Sequence, residues 1–128
     1  MSDKLQAVQA IYEAFGRGDV PAVLDALADD VQWEAWEDNR AQRAGVPHMA
    51  PRTGKDGVAG FFAVVGEYEI REFSVLDLAE SERQVYAEIV IETDTYRDEE
   101  LHLWTFGDDG KVVRLRHYVD TAKHIAAA

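Results

Sequence analysis

The chain has 128 residues, 47% of them apolar and 30% charged, with a formal net charge of −12 from 25 acids against 13 bases. That length sets the expectation of one domain, 1–128, with a real core, and the composition excludes a disordered chain. The acidic balance argues against nucleic acid or an anionic membrane as partner, since both need a basic surface.

With no cysteine, the sequence has no disulfide, no thiolate nucleophile and no Cys-based zinc site. The opening MSDKLQAVQ lacks the apolar core of a signal peptide, and no apolar run approaches the ~18 residues a spanning helix needs. The expected location is the cytoplasm.

In chain order, Leu5, Val8, Ile11, Tyr12 and Phe15 form a helical stripe over 5–15, with Asp3 and Gln6 as its N-cap pair. Gly16 and Gly18 end it. Asp19 caps a short second helix with Pro21 in its first turn, so the two make an αα-hairpin. Residues 31–37, VQWEAWE, alternate as a strand with Val31, Trp33 and Ala35 on one side. The stretch 38–53 has Gly45, Pro47 and Pro51 and poor periodicity, which predicts a long loop of the kind that carries binding residues. Trp36, Asn39, Arg40, Arg43 and His48 are expected to be solvent-exposed there. Thr53 and Asp56 start a third helix that buries Val58, Phe61, Phe62 and Val65. Its Gly57 and Gly60 would permit close approach to a neighbour.

The second half reads as four long strands, 68–78, 83–95, 98–106 and 111–120, in an antiparallel meander, with a short helix from Thr121. Helices first and antiparallel strands after them define an α+β fold. On the third of these strands His102, Trp104 and Phe106 share a face; on the last, Leu115, His117 and Val119 do. The two strands flank one hairpin, so His102 and His117 can be neighbours across the ladder. Two imidazoles in an apolar cavity suit proton transfer, because their pKa lies near neutrality. They equally suit a satisfied core pair. Asp120 points to the opposite face in a regular strand; a twist at the strand end would bring it to the pocket, and otherwise it caps the terminal helix. Trp33 and Trp104 are core filler or the walls of a pocket for a flat apolar ligand, Trp33 at its mouth and Trp104 deeper. The four histidines, 48, 102, 117 and 124, show no HxH or HExxH spacing, and the glycine tracts are turns rather than phosphate loops. No metal and no cofactor are expected.

This order of elements, with YEAFGRGD at 12–19, LADDVQWEA at 27–35 and GKVVRLRHYVDT at 110–121, resembles the nuclear transport factor 2-like superfamily. It is most similar to the SnoaL-like polyketide cyclase and ketosteroid isomerase branch. The resemblance implies a cone-shaped fold, with a curved antiparallel sheet wrapped around the three helices of the N-terminal half. It also implies a deep apolar pocket for a small apolar molecule and a homodimer packed through the sheet face. Tyr12, Phe15, Trp33, Phe62, Trp104, Leu115 and Val119 are the expected substrate-binding residues, and His117, His102 and Asp120 the catalytic ones.

In ketosteroid isomerases a tyrosine of the first helix helps to bind the oxyanion; alignment on Gly18 and Asp19 puts Ile11 there and Tyr12 one residue off. The catalytic base, an aspartate at the end of the first strand, is replaced by Ala35. The base is therefore missing unless a bulge turns Glu34 inward or Glu37 substitutes. The third catalytic group, a protonated aspartate, aligns with His102. A plain ketosteroid isomerase is not expected, and the Asp–Arg–Asp set of the epoxide hydrolases is not evident. The expected function is a small enzyme of isomerase, cyclase or dehydratase type, working by acid–base chemistry on an apolar carbonyl compound. The alternative is a noncatalytic module for lipophilic-ligand binding or dimerisation.

Overall fold

A computed structural model describes residues 2–34 and 36–128. Ser2, rather than Asp3, caps the first helix, α1 (Asp3–Gly16): the Leu5 N–H donates to Ser2 Oγ at 3.1 Å. Gly18, at φ 73°, turns the chain. Asp19 then caps α2 (Val20–Asp25) through the Ala22 N–H.

The first strand, β1 (Leu27–Trp33), starts and ends earlier than the 31–37 alternation predicts. It stops because Glu34 takes a left-handed backbone at φ 58°, which a strand cannot contain. The inward place expected of Ala35 lies outside the described residues.

The 38–53 stretch is not structureless. It holds one helical turn, α3 (Arg40–Arg43), a 3₁₀ turn at Pro47–Met49 and a two-residue strand, β2 (Arg52–Thr53). Asn39 is buried rather than exposed, because its side chain accepts from Gln42 N–H at 3.0 Å to cap α3. The third expected helix, α4 (Gly54–Val65), turns Val58 and Phe61 inward. Arg52 lies over its two glycines: an added Cβ would come within 3.3 Å of Arg52 at Gly57 and 2.8 Å at Gly60.

The meander follows as β3 (Ile70–Glu80), β4 (Gln84–Thr93), β5 (Arg97–Phe106) and β6 (Val112–Tyr118), closed by the helix α5 (Thr121–Ala127). The strands form one six-stranded sheet in the order β2-β1-β6-β5-β4-β3. β1 runs parallel to β6, the one parallel pair among the described strands; a meander alone does not predict it. In the β5–β6 hairpin His102 stands opposite His117. Along β5 alternate residues are buried, so Asp98, Glu100, His102, Trp104 and Phe106 all face the helices. The main core lies between that face and the helices. It is built on Val8, Ile11, Val31, Trp33, Val58, Trp104 and Leu115, with a smaller cluster of Ala41, Val46 and Met49 under the 36–50 segment.

Candidate active site

A cavity of about 80 Å³ lies between α1, α4 and the concave face of the sheet. Tyr12, Phe15, Trp33, Phe62, Trp104 and Val119 line it, and so do His102 and His117. A larger groove of about 1180 Å³ along α1, α4 and β3 shares Tyr12, Phe15, Phe62 and Tyr68 with its wall.

Three of the expected site residues sit elsewhere than sequence reading put them. Leu115 is fully buried in the main core and does not line the cavity. Trp33, expected at the mouth, is 2% exposed, edge-on to Trp104 at 5.8 Å. Asp120 is exposed; its carboxylate accepts from the Ala122 N–H to cap α5 and is spent outside the cavity. The outer face of β6 carries Arg114, bonded to Thr105, and Tyr118, tilted against Trp36 with ring centroids 5.0 Å apart.

The two imidazoles meet. Their ring centroids are 4.1 Å apart, and each has a buried carboxylate of its own. Behind His117 stands Glu34, with no exposure, its Oε1 set against His117 Nδ1. The left-handed turn at Glu34 swings this side chain inward. Gln42 holds the turn by donating to the Glu34 carbonyl at 3.1 Å and accepting from Asp38 N–H at 2.7 Å. Neither carboxylate oxygen of Glu34 has another polar partner among the described residues.

Burial first, and then the charge of His124, push the His117 pKa down to about 3. The ring is thus neutral at pH 7 and carries one N–H. With that proton on Nδ1, donated to Glu34, the Nε2 lone pair is left free on the cavity side. Phe61 stacks on the ring at 5.9 Å and fixes its plane.

His102 shares a 2.7 Å hydrogen bond between its Nδ1 and Tyr12 Oη, and its Nε2 lies 3.0 Å from Glu100 Oε1. The Trp104 N–H donates to the same Tyr12 oxygen at 3.0 Å. Burial holds the Tyr12 hydroxyl far above the ordinary phenol range, so it stays protonated. Burial alone would raise Glu100 too, but hydrogen bonds from His102 and His124 outweigh it and hold the carboxyl at about 2. Glu100 is therefore a carboxylate, which can only accept. In a neutral His102 the proton sits on Nε2 and donates to Glu100, while Nδ1 accepts from Tyr12. A second proton on His102 reverses the Tyr12 bond and frees the phenolic hydrogen for the cavity.

Sequence reasoning offered Glu34 only on the condition that an irregularity turned it inward, which the left-handed residue does; it missed Glu100, Asp98 and His124, and it put His48 in solvent. Half-buried His48 accepts or donates at 2.7 Å to His124 Nδ1 and at 3.0 Å to Tyr68 Oη. His124 Nε2 lies 2.9 Å from Asp98 Oδ2 and 3.1 Å from Glu100 Oε2. Burial opposes a charge on His124, but Glu100 and then Asp98 raise its pKa above the ordinary value. The signal for the two acids was in the sequence: extending the His102–Trp104–Phe106 face back by two and four residues reaches Glu100 and Asp98. Asp98, Glu100 and His124 are also the described residues whose donor atoms lie close enough, within 4.8 Å of one another, to hold a metal ion. The hydrogen bonds just described already engage those atoms.

Stability is expected to fall with acid. Below its ordinary value of 6.5, the unfolded chain binds protons that folded His117, at about 3, and folded His48, held by burial at about 4, refuse. Glu100 at about 2, against 4.5, adds a loss below about pH 4.5. The His124 contribution has the opposite sign: it is present below 6.5 and is lost as pH rises through its raised value. Tm measured from pH 8 to pH 4 should therefore drop most steeply below about pH 6.5. A flat profile would mean the two histidines are not held neutral.

A curved six-stranded sheet with helices on its concave face, enclosing paired imidazoles and a tyrosine, defines an α+β cavity fold. The sequence matches the SnoaL-like domain over residues 8–115, and the chain belongs to that family. Its structure is similar to that of an NTF2-like protein of unknown function from Burkholderia pseudomallei, at 28% identity and a TM-score of 0.80, covering 99% of this chain and 98% of that one. A putative polyketide cyclase from Xanthomonas campestris follows at 22% identity and 0.72, covering 98% and 96%. A steroid delta-isomerase from Pseudomonas aeruginosa matches at 16% and 0.74, covering 99% and 86%. The last two likenesses speak for the fold alone. No curated protein sequence matches. Among the described residues no helix is long and apolar enough to cross a membrane.

Proposed function

We propose that the protein is an acid–base enzyme of isomerase or dehydratase type, acting on a compact apolar carbonyl compound. The observation that carries this reading is the pair of carboxylate–imidazole units, Glu34–His117 and Glu100–His102, side by side at the cavity. A core needing only to be filled has no use for two buried carboxylates, whose desolvation costs several kcal/mol each.

In this reading His117 Nε2 takes a proton from the carbon next to the carbonyl. Its Nδ1–H stays on Glu34, which stabilises the imidazolium as it forms. The carbonyl oxygen gains negative charge and takes a hydrogen bond or a proton from Tyr12, whose own proton is replaced from Nδ1 of protonated His102. Return of a proton to a different carbon is isomerisation. Its delivery to a hydroxyl one carbon further on releases water. The aromatic wall of Phe15, Trp33 and Phe62 favours a planar apolar ring. A second copy of the chain on the outer sheet face, where Leu101 is 40% exposed, completes the proposal.

The test is deuterium exchange into compact enolisable ketones, β-tetralone and cyclohexanone among them, followed by proton NMR in D₂O. The expected result is exchange above the buffer rate that is lost in His117→Asn. Ketones that quench Trp33 and Trp104 fluorescence yet exchange no faster than in buffer would sink the enzymatic reading in favour of ligand binding alone.

A further inference from the structure

The hydrogen-bonded chain does not end at Glu100. Oε1 of that carboxylate faces His102 Nε2 at 3.0 Å, and Oε2 faces His124 Nε2 at 3.1 Å. A carboxylate only accepts, so both imidazoles must point an N–H at it, and no proton passes through it. From His124 the chain goes on outward: Nδ1 to His48 Nε2 at 2.7 Å, then His48 Nδ1 to Tyr68 Oη at 3.0 Å. Tyr68 lines both the cavity and the open groove. The three segments involved are far apart in sequence, and His48 and His124 are 76 residues from one another.

We infer that His124, His48 and Tyr68 form a proton outlet whose loading is coupled to His102 through the shared Glu100 carboxylate. The inference rests on the acid–base reading above and adds to it the groups that balance charge when the inner pair takes up a proton.

The steps balance. On the return half of the acid–base reaction the enol oxygen gives its proton to Tyr12 Oη as the Tyr12 proton passes to His102 Nδ1, and His102 becomes a cation again. With His124 protonated, Glu100 now faces two cations. His124 hands its Nδ1 proton to His48 Nε2, His48 hands its Nδ1 proton to Tyr68, and Tyr68 releases its own to water. One proton has entered and one has left, and the net charge of the buried cluster is unchanged. Asp98 keeps hold of the remaining His124 N–H. The reverse steps reset the chain.

The charged and titratable groups around the two rings are few. His102 meets Glu100 on β5, Tyr12 on α1 and His117 with Glu34 across β6. His124 meets Asp98 and Glu100 on β5, His48 on the 3₁₀ turn and Tyr96, whose ring centroid is 4.5 Å away. Burial keeps the Tyr96 hydroxyl protonated, so it adds no charge.

The experiment uses ligand-free, ¹⁵N-labelled protein and reads its imidazole nitrogens by NMR across a pH titration. His124→Gln removes the competing cation, and the pH at which His102 gains its second proton should rise by about one unit or more. His124→Asn, a shorter neutral amide at the same place, should raise the His102 titration in the same direction. That second variant gives the answer should the first not fold. A His102 titration unmoved in folded His124→Gln or in folded His124→Asn overturns the coupling.

His48→Phe keeps a ring between Tyr68 and His124 but breaks the chain. Exchange of the His124 ring N–H with water should slow by roughly an order of magnitude. An unchanged rate overturns the outlet. No turnover is measured, so loss of this coupling leaves the ketone-exchange result standing, and an inert protein with coupled histidines would refute only the enzymatic reading.

Discussion

Replacing Glu34 by glutamine is expected to lower the rate of ketone exchange by roughly 10²–10⁴-fold while the protein stays folded. The two side chains have the same shape, so the turn held by Gln42 survives. What changes is the partner of His117. Glu34 accepts the Nδ1–H; an amide can present its NH₂ instead and then binds the opposite tautomer, with the proton on Nε2. The lone pair that should face the ligand would be turned away from it. The imidazolium formed on proton abstraction would also lose its adjacent negative charge.

The effect should fall on kcat with little change in KM, since Glu34 lies behind His117 and does not line the cavity. Stability should be unchanged or higher, because a fully buried carboxylate set against a single imidazole nitrogen is costly to desolvate. Exchange kinetics on wild type and Glu34→Gln, with a denaturant titration of each, check both halves. An exchange rate within about threefold of wild type would remove Glu34 from the mechanism.

The largest loss of stability is expected from Glu100→Ala, at roughly 3–5 kcal/mol, or a fall in Tm on the order of 10–20 °C. Glu100 is 8% exposed and accepts from two imidazoles, and with Asp98 it raises the pKa of one of them, His124. Removing it leaves His102 Nε2–H without its acceptor and His124 with Asp98 alone. The loss should exceed that from an exposed pair such as Arg43–Asp38, whose side chains are 67% and 71% exposed. Thermal unfolding of Glu100→Ala beside Asp38→Ala makes the comparison. Equal small losses would show that the buried network is not integral to the fold.

Much of the scaffold was readable in order along the chain. The helical stripe of α1, the Asp19 cap, the glycine-marked turns and the alternation of β4 to β6 are local signals, set by side-chain period and backbone sterics. They also put His102 and His117 on facing strands, because the short Gly107–Gly110 turn leaves little freedom of register.

The β1 end was different. Alternation predicts that Glu34 points away from Trp33, and it is defeated by one residue at φ 58° that a side chain eight positions later holds in place. Nothing local announces that the turn will close this way. Leu115 was misassigned to the cavity for a related reason: alternation says which face a residue is on, not how deep it lies under its neighbours.

From its sequence alone, then, this protein's α+β order and its pair of inward histidines follow, since both rest on periodicity within single elements, and its resemblance to the SnoaL-like family follows from the segments at 12–19, 27–35 and 110–121. That Glu34 stands behind His117, and that His48 joins His124, was decided only by the tertiary structure. Glu34 reaches His117 across 83 positions, and His48 reaches His124 across 76. Burial at such meetings sets which groups carry charge, and burial is a property of the packed molecule rather than of any segment of it.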